Sequence, residues 1–456
     1  MAITNRQDSR TTLPELHSEE HLRESAEEFN LDNVPSVEEE DVQKTDSAGT
    51  TFTWAVTLFG TAVGAGILFL PISAGSFGFW PLLIATIFIG PLVFYSHRIY
   101  ARMVSDSPVK GLDVLQVVTA LTGRKRGFLT AVLYWLTIYP TVLIYGISMT
   151  NTIDSFIVNQ LGGPSINRWV LATACVTIMM AGLAFGKKIV LYVSNLLVYP
   201  LIIALAAVSF YLVPQWDIGS FFQYKSDFSV VKSLFLILPV LVFSFSHMAA
   251  LSQFALDAQR TTNGDVKATE KLVTKVEGVT TVMLVAFTMF FVWSCTLALG
   301  ADGMDAALEA NIPILSYFAN VTNTPIMALL APVVTICAIA SSFFGHMLGT
   351  EEGSKYIFCV IAPGPAERLR GKKLTYLIYA ALLVLTILVA VANPSILDLI
   401  SVVGGIFVAF FVYMLPMLLF RKAKAFKHYA NRPSTIIIFF IGLIIAAVTV
   451  YELITG

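Results

Sequence analysis

Eleven long apolar runs constrain this 456-residue chain more than any other feature of its sequence. Each run has the length of about 20 residues that a helix needs to cross the hydrocarbon core of a bilayer. Charged residues make up 13% of the chain, against about 25% in a typical soluble domain, so they cannot cover a water-soluble body of this size. A period of two is absent, which excludes a transmembrane β-barrel. The sequence therefore predicts an all-α polytopic membrane protein with spans at 52–74, 78–103, 127–158, 167–186, 189–213, 231–256, 278–300, 325–349, 374–392, 396–420 and 433–454.

The basic residues of the connections predict how these spans are oriented. With the N-terminus in the cytoplasm, the inside connections and helix ends carry 22 Lys and Arg residues and the outside connections carry 3. Because cytoplasmic connections are enriched in Lys and Arg, we expect a cytoplasmic N-terminus and an external C-terminus. Residues 1–50 hold 13 acidic and 4 basic residues. We expect them to form a disordered acidic tail ahead of a membrane domain at 51–456.

Motifs of enzymes and of cofactor sites are absent from the sequence. There is no HExxH, GxSxG or GxxxxGK[ST] motif, and no span carries paired carboxylates. The four cysteines, Cys175, Cys295, Cys337 and Cys359, lack the spacing of metal ligands. We therefore expect neither an enzyme nor a bound cofactor.

Two spans contain a stretch that is poorly suited to a continuous helix. In the first, Gly60, Gly64 and Gly66 fall within seven residues, and each glycine costs about 1 kcal/mol relative to alanine in a helix. In the sixth, the segment 243–247 (Phe-Ser-Phe-Ser-His) follows Pro239. Close packing of the glycines and hydrogen bonds from the serines to neighbouring helices are the simpler interpretations.

The places of these two stretches favour a functional interpretation. They lie at corresponding positions of two five-span halves, about 52–213 and 231–420, which enter the membrane from opposite sides, and 433–454 is left as an extra helix. Interrupted helices at matching places of inverted halves are typical of the central site of a transporter. Free N–H groups at a helix N-terminus attract a carboxylate, and free carbonyls at a C-terminus attract a cation.

A zwitterionic amino acid carries both a carboxylate and a cationic ammonium group, so it could bind to both kinds of helix end. The sequence shows no Asp, Glu, Lys or Arg at the centre of a span, so we expect backbone groups to bind the ligand. Tyr139 is included among the candidates because it is the tyrosine nearest to mid-depth in the third span. The candidate substrate-binding residues are Thr61, Ala62, Gly64, Ala65, Gly66, Tyr139, Phe243, Ser244, Phe245, Ser246 and His247.

Several motifs resemble those of the bacterial hydroxy/aromatic amino acid permeases, most of all the serine/threonine branch. They are 60–71 (GTAVGAGILFLP), 145–151, 243–247 (FSFSH), 311–317 (NIPILSY), 342–346 (SFFGH) and 393–396 (NPSI). The resemblance covers about 50–454. It implies a leucine-transporter-like fold of five plus five inverted helices and one more, with helices 1 and 6 broken at mid-membrane. It also implies import of a small neutral amino acid across the bacterial inner membrane by cation symport with alternating access.

Two other functions remain open at this point. An aromatic amino acid permease would have the same fold and fall within the same family. An ion channel is less favoured, because it would need polar residues along a continuous pore rather than two local breaks. The oligomeric state is not predicted.

The resemblance further implies a cation site between spans 1 and 8. Its matching groups here are the backbone of Gly60, Val63 and Ala338 and the hydroxyls of Ser341 and Ser342. Members of the serine/threonine branch tend to have Lys at the position of Ser341, which suits proton coupling. Serine leaves room for a sodium ion, so sodium is slightly favoured over a proton carried by His247 or His346. A hydrogen-bonded structural role is the simpler interpretation of both histidines.

Overall fold

The computed structural model describes residues 47–183, 187–224, 228–322, 324–369 and 372–455. Residues 1–46 of the predicted acidic tail lie outside the described residues, while 47–50 already belong to the first helix. The described residues are helical with short connections. The helices are α1 (Ser47–Ala62), α2 (Ala65–Gly75), α3 (Phe79–Ser105), α4 (Val114–Thr122), α5 (Arg124–Ser155), α6 (Arg168–Gly182), α7 (Lys187–Leu212), α8 (Ile218–Gln223), α9 (Val230–Ser244), α10 (Met248–Thr261), α11 (Val266–Ala310), α12 (Ile314–Val321), α13 (Pro325–Ile361), α14 (Pro363–Arg368), α15 (Lys372–Ala392), α16 (Ile396–Val402), α17 (Leu415–Lys422), α18 (Lys427–Ala430) and α19 (Pro433–Thr455).

Irregular segments join some of these helices. A π-helical turn, Phe156–Gln160, extends α5, and the π-helical segment Val403–Met414 joins α16 to α17. Short 3-10 turns at Val213–Gln215 and Lys424–Phe426 follow α7 and α17. Gly300 has a φ of +67°, which kinks α11. Glycine tolerates this positive φ because it has no Cβ.

The prediction of an all-helical membrane protein is confirmed. Eight helical segments of the described residues are individually long and apolar enough to cross a bilayer, and two bent pairs of helices bring the number to ten. The pair of α1 and α2 is bent by 61°, and the pair of α9 and α10 is bent by 50°. Helix α6, where the fourth span is predicted, has 15 residues and is apolar but shorter than the others. The count of eleven spans therefore stays a prediction.

Three asparagines fix the ends of distant helices to one another. Asn311 ends α11 and Asn393 follows α15, each with a φ of +51°. The side-chain amide of Asn151 on α5 donates to the carbonyl of Asn311 (2.8 Å) and to Oδ1 of Asn393 (3.0 Å). Short polar side chains tolerate the left-handed conformation because they hydrogen-bond locally. These bonds connect the two halves of the chain at one end of the bundle.

Candidate functional site

The first break lies between α1 and α2. Helix α1 ends at Ala62, α2 begins at Ala65, and Gly64 precedes α2 without a capping side chain. The first N–H groups of a helix have no partner within that helix, so the start of α2 presents free donors. A Cβ on Gly64 would lie 2.7 Å from Ser342 Oγ and 3.1 Å from the Tyr145 hydroxyl. Glycine is therefore required here by the close approach of α5 and α13.

The second break lies between α9 and α10 and faces the first. Helix α9 ends at Ser244 and α10 begins at Met248. A Cβ on Gly66 would lie 2.8 Å from Ser244 Cα, so the backbones of α2 and α9 touch at this point. The glycine-rich stretch therefore fits both interpretations of the sequence, close packing of helices and a break that borders a site. Gly66 is packed against α9, and the segment around it borders a cavity.

A cavity lies where the two breaks meet. Its volume is about 450 Å³ including its open mouth. It is lined by Thr61, Ala62, Gly64, Gly66, Thr137, Thr141, Tyr145, Phe243, Ser246, Met248, His346 and Val408. We refer to this space as the central cavity. Six of the predicted substrate-binding residues line it, together with His346, which the sequence singled out only as a proton carrier.

The remaining predicted residues lie elsewhere. Tyr139 does not line the central cavity, since its ring stacks on Trp135 with 4.9 Å between centroids. Tyr145, six residues later on the same helix, lines the cavity instead. Ser244, Phe245 and His247 are buried behind the cavity wall. Ala65 contributes its backbone at the first turn of α2.

Three threonines give the central cavity its polarity, and two of them were missed by the sequence analysis. The hydroxyl of Thr61 donates to Thr57 O (2.9 Å), that of Thr137 to Leu133 O (2.9 Å) and that of Thr141 to Thr137 O (3.0 Å). Each hydroxyl uses its single hydrogen on its own helix, so its lone pairs remain as acceptors. The wall therefore offers acceptors to an ammonium or a hydroxyl. Thr137 and Thr141 repeat at a spacing of four on α5, which is the signal that could have revealed them.

The five groups of the predicted cation site are only partly brought together. Ser342 Oγ on α13 donates to Val63 O at the first break (3.3 Å). Ser341 Oγ instead donates to Ala338 O within its own helix (3.1 Å). A Cβ on Gly60 would meet Val198 on α7 at 2.7 Å, so Gly60 is a packing position. No cluster of three or more His, Cys, Asp or Glu side chains that could hold a metal occurs among the described residues.

A buried pair of ionisable side chains lies directly behind the second break. His247 Nε2 and Glu277 Oε2 are 3.0 Å apart, and both side chains have 0% exposure. The ring of His97 on α3 stacks on that of His247 with 3.9 Å between centroids. We call His97, His247 and Glu277 the buried triad.

Two buried titratable residues lie outside the candidate sets of the sequence analysis. Glu277 is buried within α11, one residue before the predicted start of the seventh span. His97 has 1% exposure and is thus a second buried histidine beside His247. The predicted span missed Glu277 because a hydropathy run begins after a charge, whereas the helix begins at Val266, 11 residues before Glu277.

Comparison with known proteins identifies the chain. Residues 47–455 match the family model described as transmembrane amino acid transporter protein. The chain belongs to this family. It is also 36% identical over 406 residues to the serine transporter SdaC of Escherichia coli strain K12, a match that covers 88% of this chain and 94% of that protein. The serine transporter SdaC of Shigella flexneri matches with the same identity and coverage.

Solved structures show the same fold at low sequence identity. A manganese transporter of Eremococcus coleocola, crystallised with an aromatic bis-isothiourea substituted compound, superposes with a TM-score of 0.57 at 15% identity. The match covers 92% of this chain and 89% of that one. A mutant of the same transporter superposes with a TM-score of 0.54 at 14% identity.

The family and the fold confirm the coarse predictions. The chain is a multi-pass membrane protein of an amino acid transporter family, and it is not an enzyme. The resemblance to the serine/threonine permeases is confirmed by the serine transporter relatives.

Proposed function

We propose that this protein is a secondary active transporter that imports serine, and threonine as a near relative, together with a cation. The observation that carries the proposal is the central cavity, which lies between two facing helix breaks and is lined by hydroxyls and backbone. No Asp, Glu, Lys or Arg is found among its lining residues. The serine transporters that match most of this chain support serine as the amino acid.

The geometry suggests how serine binds. The carboxylate meets the free N–H groups of Ala65 and Gly66 at the start of α2, where the helix dipole favours a negative charge. The ammonium lies near the carbonyls that end α1 and the threonine acceptors. The substrate hydroxyl hydrogen-bonds to Ser246 or to Thr141 across the cavity, which rewards a small hydroxy amino acid.

We further propose a membrane arrangement. Each bent pair forms one span that is broken near mid-membrane, and α6 is a short span. This gives eleven spans in a leucine-transporter-like arrangement of five plus five inverted helices and one extra helix. The protein lies in the bacterial inner membrane with its N-terminus in the cytoplasm and its C-terminus outside. Alternating access then opens the central cavity to one side at a time.

The coupling cation has two possible sites in this structure. A sodium ion would need several oxygens converging on one point, as hard cations do, and the contact of Ser342 with Val63 supplies the beginning of such a cage. A proton needs a titratable group. The buried triad supplies one, so we propose the proton and keep sodium as the rival outcome.

Uptake of radiolabelled serine into proteoliposomes tests the proposed function. We expect accumulation of serine when an inward cation gradient is imposed, and only equilibration without one. Competition by unlabelled amino acids should rank serine and threonine above tryptophan and tyrosine. A reversed ranking would indicate the aromatic permease, and uptake of ions without any amino acid would indicate a channel.

A further inference from the structure

The buried triad contains one hydrogen bond, between His247 and Glu277, whose proton can lie on either partner. The hydrogen positions on His97 show this first. The backbone N–H of His247 donates to His97 Nε2 (3.4 Å), so this ring nitrogen is an acceptor. The other nitrogen of His97, Nδ1, lies 3.1 Å from both the carbonyl of Val93 and Ser96 Oγ, and it carries the hydrogen of the ring because Nε2 accepts. His97 is thus a neutral imidazole in this structure.

The same reasoning applied to His247 leaves one proton free to exchange. Its Nδ1 faces the carbonyl of Phe245 (3.2 Å), which only accepts, so Nδ1 carries a hydrogen. Its Nε2 faces Glu277 Oε2. One proton lies between these two atoms, held either as an imidazolium beside a carboxylate or as a carboxylic acid beside a neutral imidazole. In both forms the triad has no net charge.

Removal of that proton leaves a net charge of −1 in a buried place. Glu277 Oε1 has no hydrogen-bond partner among the described residues, and no Lys or Arg of these residues forms an ion pair with this carboxylate. An uncompensated buried charge is costly, so the empty triad gains much from binding one proton. A second proton would leave a buried net charge of +1 on the triad without a counter-ion, which is costly as well. The triad is therefore built to hold one proton at a time.

Other charged groups on the packed helices are engaged or exposed. Arg98 lies over the ring of Phe94, and Arg102 pairs with Glu270, two turns before Glu277 on α11. Asp257 on α10 accepts from Trp54. The packed helices carry several further titratable side chains. The hydroxyl of Tyr413 bonds to Ser96, and Tyr100 is buried on α3. Exposed Tyr95 lies on α3, Lys232 at the start of α9, Arg260 at the end of α10, and exposed Lys271 and Lys275 on α11.

The position of His247 connects this proton to the amino acid. His247 lies between Ser246 and Met248, both of which line the central cavity, while its own side chain points away to Glu277. Its N–H and its ring also bond to α3 and to the carbonyl of Phe245. A change in the charge of the triad therefore acts on the backbone of the second break, where the substrate is bound.

We propose that the hydrogen bond between His247 Nε2 and Glu277 Oε2 is the binding site of the proton that is transported with the amino acid. His97 is a positioning residue that fixes the orientation of His247. The proposal rests on the proposed function. It replaces the expected sodium cage by a titratable pair that lies on the opposite side of the second break from the substrate.

The test compares purified wild type with Glu277→Gln in proteoliposomes, in sodium-free buffer with an imposed pH gradient. With one proton per serine, the wild type should accumulate serine about tenfold for each pH unit, since one unit corresponds to about 1.4 kcal/mol. Glutamine keeps the shape of the protonated carboxyl group but cannot release a proton. We therefore expect the internal and external serine concentrations to become equal, while exchange of labelled for unlabelled serine persists.

A matched control is Glu351→Gln, which removes another buried carboxylate, one that bonds to Lys355 and Tyr379. It should keep the pH-driven accumulation. If Glu277→Gln shows no exchange and is thus not folded, His247→Gln provides a second test, because it leaves Glu277 as the only titratable side chain of the pair and should change the pH dependence of serine accumulation. Accumulation driven by pH in Glu277→Gln, or a pH dependence in His247→Gln that equals that of the wild type, would overturn the proposal. In a parallel measurement with an inward sodium gradient, sodium-driven, pH-independent accumulation by the wild type would overturn it too and leave the proposed function intact. No serine uptake by the wild type under either gradient would contradict both proposals.

Discussion

The indole N–H of Trp54 on α1 donates a 2.7 Å hydrogen bond to Oδ2 of Asp257 on α10. The ring of Trp54 also packs on Phe254, with 5.3 Å between centroids. These contacts join the half-helix that precedes the first break to the half-helix that follows the second, about 12 Å from the central cavity at 1.5 Å per residue. They hold the two half-helices together on the side of the bundle where α1 begins.

Loss of this contact should open that side of the bundle. Trp54→Phe keeps an aromatic ring but leaves the buried Asp257 without its donor, which costs about 1–3 kcal/mol in the closed form. We expect a cysteine placed at Ser246 to react with a thiol reagent at least fivefold faster in the Trp54→Phe background. Trp135→Phe is the control, because Trp135 makes an equally short bond to Ser354 that does not join the half-helices. Equal reaction rates in the two backgrounds would mean that Trp54 does not hold this side closed.

The glycine at the first break should not accept a methyl group. A Cβ on Gly64 would collide with Ser342 Oγ, and Gly64 lines the central cavity. We expect Gly64→Ala to reduce serine uptake at least tenfold while the protein still reaches the membrane. Gly345→Ala on α13 is the matched control, because no atom lies within 4 Å of the place that its methyl group would occupy and alanine favours a helix. Normal uptake by Gly64→Ala would show that transport does not depend on the close contact between Gly64 and Ser342.

A substitution of Gly66 tests ligand binding less specifically than a substitution of Gly64. A side chain there would press on the backbone of Ser244, so Gly66→Val displaces α9 as well as any ligand. We expect it to abolish uptake, but the loss combines packing with binding. Serine uptake at wild-type rates in membranes that contain this variant would show that neither matters.

The threonine acceptors should distinguish serine from alanine. Thr141→Val keeps the shape of the side chain and removes its oxygen, so the substrate hydroxyl loses a partner. We expect the preference for serine over alanine in competition assays to fall about tenfold, which corresponds to about 1.4 kcal/mol. Thr130→Val, on the same helix but away from the cavity, should leave the preference unchanged. The site would have to be reassigned if the two variants behaved alike.

Charged amino acids should be poor ligands. The central cavity has no Asp, Glu, Lys or Arg among its lining residues, so an extra charge on the substrate would be buried without a partner. We expect lysine and glutamate to compete with labelled serine at least a hundredfold less well than threonine. Lysine or glutamate as the better competitor would contradict this account of the wall.

The sequence predicted those parts of the site that are marked by the residues of one continuous segment. The glycines at 60–66 and the polar stretch at 243–247 mark the two bends because they conflict with a continuous apolar helix. Thr137, Thr141 and Met248 were not predicted as lining residues, because the sequence of a single span does not show which of its faces borders a cavity. Glu277 and His97 were not predicted as site residues for a related reason. Their importance comes from contacts with His247 across 30 and 150 residues of sequence, and hydropathy carries no information on which helices are neighbours.

Protection of a cysteine by the substrate tests the central claim most directly. Ser246→Cys places a thiol on the wall of the central cavity, and exposed Ser165→Cys serves as the control for the reagent. We expect serine to slow the alkylation of the first cysteine at least fivefold, with lysine having no effect, and to leave the second unchanged. If this variant binds serine but its cysteine reacts equally fast with and without serine, the amino acid binds elsewhere and the central cavity is not the transport site.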